Sequence, residues 1–223
     1  NKYKYLDDDT DFRSNWLKVR EVNEQNIKKI TTNSDIEQLK LLVLTTQIKE
    51  ICLTGGEPLL IKPYYDFLDF LIQRKYNQTI RLVMFTNTSV YNPQFVKKLI
   101  QFDRVQFIMS IDAVGKVAEY QRHGTDWNTV KNNVLQYIRM PKNVGINIAL
   151  TTYSLLGIAD TARFIIDELY PIRNNIECHT YSAVYPQWLY YGNIPYELRI
   201  RIIDQIDQAM QGALHHSLST LDL

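Results

Sequence analysis

The chain has 223 residues, with 25 basic and 24 acidic side chains and a formal charge of +1. This length predicts one domain, or one with a small appendage, and the balanced charge excludes a broad nucleic-acid-binding surface. Hydrophobic residues make up 45% of the chain, which allows a real core, but no apolar run approaches the ~20 residues of a membrane span. We therefore expect neither nucleic acid nor a membrane among its partners. Cys52 and Cys178 are too few for a disulfide framework, which predicts a cytoplasmic protein.

The first part of the chain, residues 1–48, reads as a connector and a helix. Residues 1–16 are polar and acidic, as a solvated surface would be. Apolar residues then recur at helical spacing between Ile36 and Val43. We expect a barrel-like domain over residues 49–184 and an extension over residues 185–223.

The most informative stretch is KEICLTGGEPLL, from Lys49 to Leu60. Its apolar run predicts a buried strand, because such a run that stops at turn residues is typical of parallel sheets. Gly55 and Gly56 allow a sharp turn that leaves the backbone open, and Glu57 and Pro58 follow. An ordinary strand-to-helix turn is the alternative interpretation.

Beyond this stretch, predicted strands alternate with predicted helices. Such alternation indicates βαβ units and a parallel sheet. Five strands are predicted, short of a closed eight-stranded barrel, so an incomplete parallel (β/α) barrel is the best single picture. The predicted strands are 51–53, 80–85, 105–111, 144–150 and 176–181.

Each predicted strand ends in small polar or charged residues. In parallel sheets these ends lie on one rim, where ligands bind. Turn residues are polar in any case, which is the plainer explanation. The residues concerned are Gly55, Gly56, Glu57, Thr86, Asn87, Thr88, Ser110, Asp112, Thr151, Thr152 and the segment 179–182.

The residue types at this rim favour a zwitterion that carries a ribose. Gly55 and Gly56 offer backbone groups, and the Glu57 carboxylate suits an ammonium or a diol. Asp112 can accept from ribose hydroxyls. Arg122 follows in a loop that can fold back over the rim, and its guanidinium suits a carboxylate. Alone, Arg122 would read as a surface residue.

Other chemistries find less support in the residues. The histidines show no metal-ligand spacing, and no nucleophile elbow, dinucleotide or Walker pattern occurs. Cys178 is predicted to be a buried thiol. The aromatic segment from Tyr185 to Tyr191 can line a substrate cleft or cover the base of the barrel, and we favour packing. An enzyme that uses Gly55 and Gly56 for phosphate is a weaker alternative.

Three segments resemble the radical S-adenosylmethionine (radical SAM) superfamily, specifically its twitch-domain-containing branch. ICLTGGEPLL is similar to the GGEP motif at the end of the family's second strand, and FTNTS to its third-strand end. SIDAVGKVAEYQRHGTDWNTVKNNV is similar to the branch's fourth-strand segment. The resemblance covers about residues 50 to 155.

The resemblance implies a partial (β/α)6 TIM-like barrel that lacks its first strand in this chain and carries a short C-terminal extension. SAM would lie across the strand ends. The backbone at Gly55 and Gly56 would meet the methionine amino group, and Glu57 would support that loop. Ser110 and Asp112 would lie near the ribose or methionine portion, and Arg122 near the carboxylate. The full set of expected cofactor-binding residues is Gly55, Gly56, Glu57, Pro58, Thr86, Asn87, Ser110, Asp112, Arg122 and Thr151.

The resemblance also implies a [4Fe-4S] cluster that reduces SAM, so that a deoxyadenosyl radical can abstract a substrate hydrogen. The family holds this cluster in a C-x3-C-x2-C loop upstream of GGEP, which this sequence does not contain. Because the chain starts at Asn1, we expect it to be an N-terminally incomplete enzyme whose cluster ligands lie upstream. Without those ligands, we expect this chain alone to be inactive. The alternative is a cluster-less relative that binds SAM or a nucleotide. A peptide substrate and a reductase or flavodoxin-like electron donor are further expectations, and no catalytic residue is assigned.

Overall fold

The computed structural model describes residues 33–183 and 185–219, and the acidic stretch over residues 1–16 lies outside them. Five strands alternate with helices along this part of the chain. The strands are β1 (Glu50–Leu53), β2 (Arg81–Thr86), β3 (Val105–Ser110), β4 (Asn143–Leu150) and β5 (Glu177–Ser182). The helices are α1 (Asn33–Thr45), α2 (Lys62–Gln73), α3 (Pro93–Leu99), α4 (Gly115–Gln121), α5 (Trp127–Tyr137), α6 (Ile158–Arg163, continued by a π-helix over Phe164–Leu169) and α7 (Tyr196–Ser219).

The strands form one parallel sheet in the order β1-β2-β3-β4-β5. This arrangement confirms the predicted α/β class and the positions of all five predicted strands. The predicted burial of the first strand is wrong for Cys52, which is exposed because β1 is an edge of the described sheet. Among the described residues, β1 and β5 each pair on one side only, so the sheet has two edges and no closure. Closure of the sheet into a partial barrel therefore stays a prediction.

The two faces of the sheet differ in their surroundings. Leu82 and Met84 of β2 are fully buried in one core cluster with helix residues such as Phe67 and Leu99. Val83, one residue on, points the other way and is not part of that cluster. We call the face that carries Val83 the inner face. Strand register places Ile108, Gly145 and Asn147 on the same side.

Two helices have weak signals in the sequence. Residues 115–121 form α4, in which the apolar spacing of Val117, Ala118 and Tyr120 gives only a weak periodic signal. The last helix begins at Tyr196 and continues to Ser219.

The prediction that Cys178 is a buried thiol is wrong. Cys178 lies on β5, whose six residues are all exposed, because β5 is an edge of the described sheet. Tyr185 and Trp188 are also more than half exposed. Their segment contacts the carboxyl end of β4, not the base of the sheet, since the N–H of Thr152 donates to the carbonyl of Leu189 at 2.9 Å.

Among the described residues, no helix has the length and apolar character needed to cross a lipid bilayer.

Candidate functional site

The loop after β1 leaves its backbone open. Gly55 and Gly56 have φ angles of 86° and 47°, a region in which residues with a side chain are strained. Apart from the glycine itself and its two neighbours in the chain, no atom of the described residues lies within 4 Å of the place where a Cβ would stand at either residue. The loop therefore offers uncovered peptide groups at the carboxyl end of β1.

Glu57 holds this loop against the end of β2. Its buried carboxylate accepts from the hydroxyl of Thr86 at 2.9 Å and from the N–H of Asn87 at 2.8 Å. It also accepts from the N–H of Leu59 at 3.2 Å. All these donors belong to the protein, so the Glu57 carboxylate holds the loop in place by hydrogen bonds and is not a free carboxylate. Pro58 and Thr86 are buried as well and contribute to the same support.

The loop after β2 is held in a strained conformation. Thr88 is fully buried and has a φ of 59°, which is unfavourable for a β-branched residue. The side-chain amide of Asn133 on α5 donates to the Thr88 carbonyl at 2.8 Å, and the Tyr137 hydroxyl donates to the Val90 carbonyl at 2.8 Å. Burial raises the pKa of Tyr137 above its usual value, so this hydroxyl remains a donor. Strained backbone of this kind clusters at functional sites, and here it lies next to the rim.

Asp112 and Arg122 form an ion pair at the end of β3. Arg122 donates to Oδ2 of Asp112 from Nε at 3.0 Å and from Nη2 at 2.7 Å. Oδ1 of Asp112 accepts from the N–H of Ala149 on β4 at 3.0 Å. Asp112 thus ties two strand ends together and orients the guanidinium. Among the described residues Nη1 of Arg122 has no acceptor, which leaves it available to a ligand carboxylate.

A small cavity lies beside this pair, with a volume of about 20 Å³, room for one water molecule. Asn87, Ser110, Asp112 and Arg122 line it. A cleft of about 620 Å³ adjoins it and shares Asn87 and Arg122. The cleft is in the size range of sites for small organic ligands. The structure therefore brings these four predicted site residues together.

Thr151 is linked to the site through Gln121, which the sequence did not single out. Nε2 of Gln121 donates to the hydroxyl of Thr151 at 2.8 Å, and Thr151 also contacts the buried Ser154. Oε1 of Gln121 is buried and has no donor among the described residues, while Gln121 lines the small cavity. An unsatisfied buried acceptor is costly, so this oxygen suits a ligand donor such as a ribose hydroxyl. Only the position of Gln121 beside Arg122 could have pointed to it.

The residues present do not form a site for an iron-sulfur cluster. Cys52 lies on β1 and Cys178 on β5, at opposite edges of the sheet. In the described part of the chain, no three His, Cys, Asp or Glu side chains come together as metal ligands. The cluster that the resemblance implies would need thiolates from outside this sequence.

No protein-family model matches the chain. It is 29% identical over 128 residues to a GTP 3′,8-cyclase from Campylobacter lari, a match that covers 57% of this chain and 38% of that protein. The chain therefore spans well under half the length of this curated relative. The match supports the resemblance to the radical SAM superfamily that the GGEP segment indicates.

Several solved structures align with the chain. SuiB of Streptococcus suis bound to S-adenosylmethionine has a TM-score of 0.48 and 17% identity, covering 73% of this chain and 37% of that chain. SuiB bound to the precursor peptide SuiA has a TM-score of 0.48 and 18% identity, with coverages of 71% and 36%. A domain of pyruvate-formate lyase-activating enzyme from Bacteroides vulgatus has a TM-score of 0.49 and 14% identity, with coverages of 72% and 94%.

Proposed function

We propose that this chain carries the SAM-binding part of a radical SAM enzyme of the twitch-domain-containing branch. The main support is the guanidinium of Arg122, which Asp112 orients at the rim while Nη1 stays without an acceptor among the described residues. A zwitterion with a carboxylate fits this arrangement, because a guanidinium binds carboxylates through paired N–H groups.

The remaining rim residues suit the other parts of SAM. The uncovered backbone at Gly55 and Gly56 would meet the methionine ammonium. Glu57, Pro58 and Thr86 would keep that loop in place. Asn87, Ser110, Asp112 and Gln121 line the cavity beside Arg122, and Thr151 accepts from Gln121, so these residues would supply acceptors and donors to the ribose hydroxyls.

The complete enzyme would cleave SAM reductively at a [4Fe-4S] cluster and abstract a substrate hydrogen. Because the two cysteines lie at opposite edges of the sheet, we place the cluster ligands outside this sequence. The chain alone should not cleave SAM. We keep a peptide as the first substrate to test, a reductase or flavodoxin-like protein as electron donor, and a cytoplasmic location. The division into residues 1–48, 49–184 and 185–223 is part of the same proposal.

The second candidate is a cluster-less relative that binds SAM or a nucleotide without catalysis. The observation in its favour is that this sequence contains the rim residues expected to bind SAM but no C-x3-C-x2-C loop for a cluster. Both candidates predict SAM binding, so SAM binding tests what they share.

Isothermal titration of the full chain with SAM is the test. We expect one binding site, weakened about 10- to 100-fold in Arg122→Ala, since hydrogen bonds to charged groups contribute about 1.5–3 kcal/mol. Asp112→Asn should also weaken binding, because it removes the charge that orients Arg122.

The matched control is Arg163→Ala, which removes a half-exposed arginine paired with Asp160 on α6 and should leave SAM binding unchanged. Equal SAM affinity in Arg122→Ala and wild type would contradict the proposed site. Inorganic phosphate that competes with the ligand, together with full binding by Asp112→Asn, would instead favour a phosphate site at Gly55 and Gly56.

A further inference from the structure

A second cavity lies at the amino ends of β2, β3 and β4, at the opposite end of the sheet from the rim. Its volume is about 360 Å³, within the size range of small-molecule sites. Ser110 at the rim lies six positions after Arg104 along β3, so at about 3.3 Å per residue the two ends are ~20 Å apart. We call this space the basal cavity. Its polar lining consists of Arg81, Asp103, Arg104, Gln106, Lys142 and Asn143.

The basal cavity carries an excess of positive charge. Arg81, Arg104 and Lys142 line it, against the single carboxylate of Asp103. Arg81 forms an ion pair with Glu50 at 2.8 Å, whereas Arg104 and Lys142 have no carboxylate partner among the described residues. Three cations therefore stand against two carboxylates when Glu50 is included, and positive charge remains for a ligand to neutralise.

Two of these cations are anchored but keep donors to spare. Nη2 of Arg104 donates to the carbonyl of Thr79, and Nζ of Lys142 donates to the carbonyl of Phe102. A guanidinium has five N–H groups and an ammonium has three, so most of these donors have no acceptor among the described residues. The exposed side-chain amide of Asn143 is also without a partner in this part of the chain. Anchored donors lose less conformational freedom when a ligand binds.

An anion with several acceptor oxygens fits this set of donors. A guanidinium binds phosphate oxygens through paired N–H groups, and an ammonium binds phosphate as a point charge. A phosphate group carries up to two negative charges and at least three strong acceptor oxygens, more than a carboxylate offers.

We propose that the basal cavity binds a phosphate group, either as free phosphate or as the monoester of a small molecule. Arg104, Lys142 and Asn143 are the direct ligands, and Arg81 adds positive charge. None of these residues belongs to the rim, so phosphate binding here is independent of the proposed function.

An NMR titration of the full chain with inorganic phosphate and with ribose 5-phosphate tests this site. The side-chain N–H signals of Arg104 and Asn143 report contact directly, and low ionic strength limits screening of the charges. We expect both probes to shift these signals to saturation. Clearly tighter binding of ribose 5-phosphate identifies a phosphate monoester as the ligand, and equal affinities identify free phosphate; either result supports the site.

Two substitutions should change the affinity for inorganic phosphate in opposite directions. Arg104→Gln removes a cation and should weaken binding about fivefold or more. Asp103→Asn removes the opposing carboxylate and should strengthen binding about two- to fivefold. Because a gain in affinity cannot result from misfolding, Asp103→Asn tests the site even if Arg104→Gln is unstable.

Arg139→Gln is the matched control. Arg139 is exposed and also donates to a backbone carbonyl, that of Leu135, but it does not line the basal cavity. We expect its loss to leave phosphate binding unchanged. Equal weakening in Arg139→Gln and Arg104→Gln would overturn the site, because the effect would then come from overall charge.

Two further results would overturn the basal site. One is that neither probe at millimolar concentration shifts the signals of Arg104 and Asn143. The other is phosphate that competes with SAM in calorimetry and leaves those signals unchanged, which would place phosphate at the rim. If phosphate shifts the Arg104 signals but wild type binds no SAM, the proposed function fails and the basal site stands.

Discussion

At the scale of single residues, each of the two carboxylates of the rim connects two segments of the chain by hydrogen bonds. Glu57 joins the loop after β1 to the end of β2, and Asp112 joins the ends of β3 and β4. The residue types alone suggested that both carboxylates contact the ligand, whereas the family resemblance implied that Glu57 supports its loop. The structure uses their oxygens for protein donors, so direct contacts with a ligand would come mainly from backbone groups, from Arg122 and from the amides and hydroxyls beside the cavity.

Replacing Glu57 with glutamine should therefore destabilise the fold. The introduced side-chain amide would present an N–H group to donors at Thr86 and Asn87, so buried donors would lose their acceptor. We expect Glu57→Gln to lose about 2–3 kcal/mol in the free energy of unfolding, measured by urea denaturation. Glu50→Gln is the control: Glu50 is half exposed and paired with Arg81, so its loss should cost less than about 1 kcal/mol. Equal losses in the free energy of unfolding for the two variants would contradict the role of Glu57 in holding the loop.

At the scale of elements, the loop after β2 combines a strained residue with two anchors on α5. Thr88 has a φ of 59°, and Asn133 and Tyr137 hold the loop by hydrogen bonds to its carbonyls. The sequence FTNTS located this loop at the rim, but a threonine gives no sign of a left-handed backbone. The anchors come from a helix more than forty residues away, so only the fold reveals them.

Two truncations of Thr88 separate backbone strain from loss of packing. Thr88→Ala and Thr88→Gly remove the same hydroxyl and methyl contacts, but only glycine adopts a positive φ without strain. We expect the glycine variant to be more stable than the alanine variant by about 1 kcal/mol, read from chemical denaturation. Exposed helix sites show the reverse order, so an alanine variant that is the more stable one would show that the loop is not strained.

At the scale of the whole molecule, the sequence predicted the order of strands and helices well. The apolar runs ending at Leu53, Phe85 and Leu150 became strands, since short runs with turn residues behind them have few alternatives in an α/β protein. The exposed β5 was not foreseen, because periodicity does not show which strand lies at an edge. Gln121 was missed because a single amide in a sequence gives no signal until its neighbours are known.

The sheet formed by the described residues has an exposed edge at β5. Its inner face carries polar side chains on β3, β4 and β5, and all six residues of β5 are exposed. Ser110 of β3 lies on this face and also lines the cavity beside Asp112 and Arg122.

The most direct test of the central claim is to read the coding sequence upstream of Asn1. A radical SAM enzyme predicts an in-frame C-x3-C-x2-C loop within a few dozen codons, after an apolar strand. The full-length protein, reconstituted under anaerobic conditions, should then bind iron and sulfide in equal amounts and cleave SAM. A start codon with no cysteine between it and Asn1 would contradict the enzyme and leave SAM or nucleotide binding as the function of this fold.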